Sequence, residues 1–375
     1  MSNYSEKQSK TIGKQVLFLQ TSEENCRNGE GAFVRLKDNG ILFAFSEFLK
    51  GTGRDHDEAR VSGFVSYDEG ETWGEKRVLF TKGEDAINIM SVSFLRLKNG
   101  SLAIFYGEKY KSSEGLITDK MYLRVSADEG KSWGEAVCCF PVDGYHVLNN
   151  DRVIRLAGGR ILVPIAMHSL TGFQSGTRFS LPGSVAFSVS DDDGKSWRVI
   201  PTVIRSPFHD NVQLQEPGVY QHEDGKIWMW CRTKYGCQYM AFSEDDGETW
   251  SDLEPGLFFS SPTSPMQVKR AGNRTLAVFN PIPEYCGRDR AREPWGRTPL
   301  VCAVSTDDGK SHDGRSFGKL FYLEDDRTNG YCYPAIFAGE DYFLTAYYHS
   351  NDTGHCLDST KILKVMYEEL EKTEG

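Results

Sequence analysis

One octet dominates this chain: Ser66-Tyr-Asp68-Glu-Gly70-Glu-Thr72-Trp73. The same pattern, Ser-x-Asp-x-Gly-x-Ser/Thr-Trp, returns at 126–133, 190–197 and 243–250, and a fifth copy at 305–312 ends in His312 instead of Trp. Successive copies start 60, 64, 53 and 62 residues apart. A recurrence of this regularity means that the fold itself repeats, each unit being one supersecondary element that buries its apolar face against its neighbours.

Between the octets the chain writes one sentence several times. The first unit has Gly31–Arg35, a turn at Asp38-Asn39-Gly40, Ile41–Phe45, a polar loop, and Val61–Val65 running into the octet, with Val78–Phe80 as a fourth run. The second has Val92–Arg96, Asn99-Gly100, Leu102–Tyr106 and Met121–Val125; the third has Val153–Leu156, Ile161–Ile165 and Ser184–Ser188. Gly218–Tyr220, Ile227–Trp230 and Gln238–Phe242 build the fourth, and Met266–Lys269, Leu276–Phe279 and Leu300–Val304 the fifth. Short apolar runs joined by Gly, Asn and Asp turns, without helical periodicity, predict an all-β protein. Four antiparallel strands per unit of about 60 residues fit a β-propeller blade.

A sixth unit lacks the octet and supplies three strands, near Tyr333–Phe337, Tyr342–Tyr347 and Ile362–Met366. The unused run Gln15–Gln20 is the natural fourth, and pairing the chain ends would close the ring and remove its open edges. The expectation is a flexible segment over residues 1–13, followed by one six-bladed β-propeller domain over residues 14–370.

Composition narrows the function. A net charge of −10 with no dense Lys/Arg run argues against a nucleic-acid partner. No stretch approaches the apolar length of a membrane span. Nine cysteines with no CxxC pair suggest reduced thiols rather than a zinc site or a disulfide framework. The polar N-terminus has no apolar core of a signal peptide, so the expected compartment is the cytoplasm if Met1 is the native start, and a secreted or periplasmic one if a leader has been removed. No metal or other cofactor is expected.

Within the octet the residue types have structural reasons. Asp accepts from turn N–H groups, Gly takes a positive φ, and Trp packs over the turn. Groups that recur in every blade are scaffold. The candidate site lies where the blades differ. Counting back five residues from the ends of the innermost strands lands on Glu30, Ser91, Asn150 and Glu216, four different polar groups at one equivalent place, with Tyr331 to Tyr333 in the same zone of the last blade. Arg35, Arg96 and Arg155 stay alike and read as structural. Asn149-Asn150-Asp151-Arg152 is a dense polar cluster expected to meet a ligand, while the isolated His146, His168 and His349 carry less weight.

The repeats and Gln215–Arg232 resemble the sialidase (neuraminidase) superfamily, whose six-bladed propellers carry these Asp-boxes. The resemblance implies roles. Glu216 would activate a tyrosine nucleophile, Tyr331 or Tyr333, with Tyr331 narrowly preferred. Arg232 and Arg297 would bind a substrate carboxylate, and Asp55 (with Asp57 as the alternative) would be the acid/base. Tyrosine in place of a carboxylate nucleophile avoids repulsion by an anionic anomeric centre, and arginine forks grip carboxylates bidentately. The family's first arginine, in an Arg-Ile-Pro segment, has no counterpart: Glu30 stands in that register and Arg27 lies out of it. Glu30 there would oppose an anion or bond sugar hydroxyls.

The expected function is therefore a sialidase-like exo-acting glycoside hydrolase removing a terminal sugar, acidic sugars included, from a glycan. Two alternatives come with it. One is another carbohydrate-active enzyme on the same scaffold, a neutral-sugar hydrolase or a polysaccharide lyase, with Glu30 and Glu216 as a carboxylate pair across the channel or a Tyr and a His as the base. The other is a non-catalytic glycan-binding propeller.

Overall fold

The computed structural model describes residues 11–174, 183–206, 214–283, 296–310, 316–350 and 357–371. His312 lies outside them.

Six antiparallel sheets follow one another along the chain. The first blade is Arg27–Arg35, Ile41–Phe48, Ala59–Ser66 and Arg77–Thr81. The second is Ala86–Arg96, Leu102–Lys111, Ile117–Ser126 and Val137–Phe140. In the third, the inner strand is broken into Tyr145–Val147 and Ile154–Arg155, both paired with Ile161–Ser169. Gln215–Gln221 opens the fourth blade and Gln267–Ala271 the fifth. The sixth consists of Tyr331–Ala338, Tyr342–His349, Ser359–Met366 and, as expected for a closed ring, the N-terminal strand Lys14–Leu19. Lys14 pairs with Lys364 and Leu19 with Thr360, so the last sheet is completed by the first strand of the chain. The first strands of the fourth, fifth, sixth, first and second blades lie successively against one another around the axis.

The octets form one repeated turn. Ser66 Oγ donates to Asp68 Oδ1 (2.8 Å) and accepts from the Gly70 N–H (2.9 Å), while the Thr72 N–H and hydroxyl both reach the Asp68 carboxylate. The bonds recur at Ser126, Ser190 and Ser243, and the Ser305 copy keeps those to Asp307 and Gly309. Gly70 has φ +82°, and the residue before it, Glu69, is also left-handed at +57°. That second residue has a partner. Arg35 binds Glu69 at 2.6 Å, Arg96 binds Glu129 at 2.7 Å, and Arg270 binds Asp308 at 2.6 Å. Arg96 also donates to the Arg35 carbonyl of the preceding blade (2.8 Å), and Arg155 to that of Arg96 (3.3 Å). Arg96 and Arg155 therefore tie the second and third blades each to the one before it. The box tryptophans do the same through packing: Trp197 meets Phe105 of the second blade, and Trp250 stacks at 4.3 Å on Phe187 of the third.

Strand direction decides where function can sit. In an antiparallel blade the first-to-second turns and the octets share one end of the propeller. The starts of the inner strands and the second-to-third connections share the other, and the scaffold contacts leave that end unused.

Candidate functional site

The inner strands are not regular. Glu30, Ser91, Asp151, Glu216 and Tyr333 are all non-glycine residues with positive φ, between +51° and +65°. Four of them sit where the pairing register slips, between Gly29 and Ala32, Met90 and Ser93, Gln215 and Gly218, and Cys332 and Ala335. The fifth, Asp151, lies in the gap of the broken third-blade strand. A non-glycine side chain in this region costs on the order of 1–3 kcal/mol and persists where surrounding structure enforces it. The same backbone device in five blades turns one polar side chain per blade toward the axis.

Four of these residues line a cavity of about 230 Å³: Glu30, Ser91, Glu216 and Tyr333. Arg232 and Arg297 also line it, as do Asp55, Lys109, Asp119, Tyr145, Asn149 and His168. Every one of the additional groups comes from the second-to-third connections, the strand ends beside them, or the start of an inner strand. This is the end away from the octets.

On the side built by the last three blades, the Tyr333 hydroxyl donates to Glu216 Oε1 at 2.6 Å. Arg232 Nη1 donates to the same oxygen at 2.7 Å and reaches the Tyr333 hydroxyl at 3.3 Å. Glu216 Oε2 has no hydrogen-bond partner among the described residues. The Arg297 guanidinium lies 5.6 Å from the Tyr333 ring centre and donates to the Thr263 carbonyl and the Cys332 thiol. Burial pushes the Glu216 carboxyl up, but Arg232, the Tyr333 hydroxyl and Arg297 outweigh it and hold the group below the usual carboxylate range. Burial, reinforced by Glu216, pushes the Tyr333 phenol well up, against the pull of the two arginines. The result is an ionised carboxylate hydrogen-bonded to a neutral phenol.

On the opposite side, Arg27 is 1% exposed and Glu30 4%. Arg27 binds Glu30 at 2.7 Å, Asp55 at 2.6 Å and the Tyr348 hydroxyl at 2.7 Å. Ser91 donates to the other Glu30 oxygen. The arginine that lies out of register in the sequence thus does reach this wall, where it is neutralised by two carboxylates. Burial raises the Asp55 carboxyl, but Arg27 and Lys109 hold it well below its ordinary value. His168 is pushed down to about 4 by burial and is a neutral imidazole.

Other expected residues fall elsewhere. Tyr331 is fully buried, edge-on to Tyr347 (6.1 Å) and His349 (5.3 Å) in the core between the fifth and sixth blades. The bulge places Tyr333, not Tyr331, in the cavity. Asn150, Asp151 and Arg152 lie outside the cavity lining and bridge blades across the axis. Asn150 donates to the Gly31 carbonyl (2.9 Å), Asp151 binds Lys269 (2.7 Å), and Arg152 donates to Gln267. Of that cluster only Asn149 lines the cavity. The left-handed residue of the third blade is Asp151 rather than the indexed Asn150, because the break in the inner strand shifts the count by one. Asp57 caps its own loop, accepting from the Thr52 N–H (2.6 Å) and hydroxyl (2.8 Å). Lys109, Asp119 and Tyr145 went unnoticed in the sequence, since they belong to no repeat and no motif.

A family model for the BNR repeat-like domain matches residues 40–349. The chain belongs to the BNR repeat-like family. No curated protein matches it. Among solved structures it is similar to a Dyadobacter fermentans protein of unknown function, with a TM-score of 0.70 and 19% identity over 94% of this chain and 99% of that one. It is also similar to the NanB sialidase of Streptococcus pneumoniae (0.68, 11%, covering 96% of this chain and 71% of that one). The intramolecular trans-sialidase of Ruminococcus gnavus matches with a TM-score of 0.70 and 13% identity over 96% of this chain and 99% of that one. At these identities the likeness establishes a shared BNR propeller fold.

Proposed function

We propose that this BNR propeller is a sialidase-like, exo-acting glycoside hydrolase that removes a terminal sugar bearing a carboxylate. The observation that carries the reading is the Tyr333–Glu216 hydrogen bond of 2.6 Å, set by two left-handed bulges on different blades and flanked by two arginines in a cavity. A phenol bonded to an ionised carboxylate is a nucleophile with its base in place.

In this reading Arg232 and Arg297 hold the sugar carboxylate. Tyr333 Oη attacks the anomeric carbon and its proton passes to Glu216. The bond to the departing oxygen breaks with its electron pair, and that oxygen takes a proton from a carboxylic acid on the far wall. In the second half the same wall group, now a carboxylate, removes a proton from water. Water attacks the anomeric carbon, and Tyr333 leaves and recovers its proton from Glu216. The cavity is of monosaccharide scale, in keeping with removal of one terminal residue.

A panel of 4-methylumbelliferyl glycosides, including a sialoside, glucuronide, galacturonide and neutral hexosides, tests the proposal by fluorescence release. Acidic sugars should be cleaved, and Tyr333→Phe and Glu216→Gln should each lower kcat/KM by about 10²-fold or more. Activity that survives both substitutions refutes the assignment. Binding of a sugar without hydrolysis of any would make the chain a glycan-binding propeller instead.

A further inference from the structure

The far wall holds three carboxyl groups, and their surroundings divide the work among them. Glu30 is buried with both oxygens occupied, one by Arg27 and the other by the Ser91 hydroxyl. Asp55 stands half-exposed at the mouth in its ion pair with Arg27. Asp119 differs from both. It is 4% exposed, lines the cavity, and its Oδ1 has no hydrogen-bond partner among the described residues.

Several features hold Asp119 in this state. It is the buried third residue of Ile117–Ser126, pairs across the sheet with Lys109, and is anchored by its N–H to the Gly144 carbonyl at 2.9 Å. Gly107, on the adjacent strand and also in the cavity wall, keeps the carboxyl open, because a methyl group there would come within 3.1 Å of Oδ1. The charged and titratable groups around it are Lys109 and Glu108 from the adjacent strand and Tyr145 from the third blade. Lys109 is the one cation among them, and its ammonium is engaged by the Asp55 carbonyl (2.8 Å) and Met90 sulfur (2.9 Å). Burial therefore dominates, with Lys109 pulling against it and Glu108 adding to it, and the carboxyl is pushed up to about 8. Asp55 is driven the opposite way. A pair of carboxyls whose surroundings push them apart is the pattern that separates an acid from a base.

We propose that Asp119 is the proton donor of this site, and that Asp55 is a positioning carboxylate that holds Arg27. The proposal rests on the hydrolase reading above. In a closed ring of six blades the second stands opposite the fifth, so Asp119 faces the side that carries Arg297 and lies two blades from Tyr333. As Tyr333 Oη bonds to the anomeric carbon, the departing oxygen keeps the electron pair of the broken bond and takes the Asp119 proton. Asp119, now a carboxylate, later takes a proton from the attacking water and is restored.

Two measurements decide it. The first needs no substrate. A folded-state value raised above the unfolded one contributes stability below the unfolded value, and that contribution is lost as pH rises through about 8. Asparagine keeps the shape without the ionisation. Thermal melts should therefore show Asp119→Asn gaining stability relative to the parent as pH rises from about 4 to 8, and a gap that is flat or closes with rising pH overturns the proposal.

The second compares leaving groups. Asp119→Asn should lose about 10²-fold or more on an alkyl glycoside, whose oxygen needs a proton, and much less on a nitrophenyl glycoside. It should also lose the alkaline limb of the pH profile near 8, whereas Asp55→Asn should keep that limb. Asp55→Asn showing the leaving-group pattern, or Asp119→Asn retaining the limb, refutes the assignment while leaving the hydrolase standing. A parent protein inactive on every glycoside refutes the hydrolase reading and this one with it.

Discussion

Replacing Arg27 by methionine tests the least ordinary feature behind the cavity wall, a buried arginine between two carboxylates. The side chain is 1% exposed and lies over the Phe48 ring at 4.4 Å, so methionine fills much of the space. What is lost is charge. Asp55 is half-exposed and can turn to water, but Glu30 is 4% exposed and would be left without a cation, with only the Ser91 and Tyr348 hydroxyls. Breaking a buried pair from one side costs about 3–5 kcal/mol. At about 2.1 cal/mol/K per residue, a chain of 375 residues has an unfolding entropy near 0.8 kcal/mol/K, so the melting temperature should fall by roughly 4–6 °C at pH 7.

The pH dependence sharpens this. Glu30 is already raised by burial, with Arg27 pulling it down. Without Arg27 its folded value climbs further, and the variant loses stability relative to the parent as pH rises above the unfolded value of about 4.3. Asp55 acts in the same sense. Its lowered value gives the parent a stabilisation that is present above the unfolded value and lost as pH falls, and the variant lacks it. Both effects make the penalty largest at neutral pH and smallest in acid. Melting curves of the parent, Arg27→Met and Arg27→Met/Glu30→Gln between pH 4 and 8 measure it. The double variant should recover most of the loss. A penalty at pH 7 below about 1 kcal/mol, or a double variant as unstable as the single one, would mean that the pair is not the stabilising unit inferred from its geometry.

Two further outcomes concern the scaffold. Ser126→Ala removes a buried hydroxyl that serves the Asp128 carboxylate and the Gly130 N–H (2.7 Å), and urea unfolding should show a loss of about 1–3 kcal/mol with hydrolysis rates unchanged. Deleting residues 1–20 uncovers the edge of Ser359–Met366, and light scattering should report concentration-dependent association; a monodisperse, native-like truncated protein would show that ring closure is dispensable.

The fold was legible because its signals are repeated and local. Ser66, Asp68, Gly70 and Thr72 bond to one another within a single turn, so their spacing survives any surrounding sequence. Closure by the N-terminal strand followed from counting strands. Glu216, Arg232 and Arg297 were legible because each stands at a fixed offset from a turn or an octet. The choice between Tyr331 and Tyr333 was not, because it depends on a bulge. In a regular strand these two residues share a face, but the register slip at Tyr333 reverses that parity and sends one side chain to the core and the other to the cavity. Arg27 was obscured for the same reason: the slip beyond Gly29 brings it within reach of Glu30, three residues on. The polar run at 149–152 looked like a ligand site by density alone, yet a narrow axis needs polar bridges too. Asp119 had no local signal, since its character comes from burial and from a lysine engaged elsewhere.

Charge distribution finally restricts how a ligand can lie. Among the described residues that line the cavity, the side formed by the last three blades carries Arg232 and Arg297 against the carboxylate of Glu216. The first-blade wall carries Glu30 and Asp55 against the single cation Arg27. Glu30 thus does not repel an anion across the whole cavity; with Arg27 beside it, the wall is a row of acceptors suited to sugar hydroxyls. A sugar bearing one carboxylate is accommodated in one orientation, with its acid group toward Arg232 and Arg297 and its hydroxyls toward Glu30 and Asp55. The reverse orientation would bring the acid group against two carboxylates, and like charges in a poorly solvated cavity repel strongly. A neutral sugar lacks that orienting contact. Discrimination between acidic and neutral glycosides should therefore reside in Arg232 and Arg297, and Arg232→Gln should narrow the gap between the two classes mainly by raising KM for the acidic one.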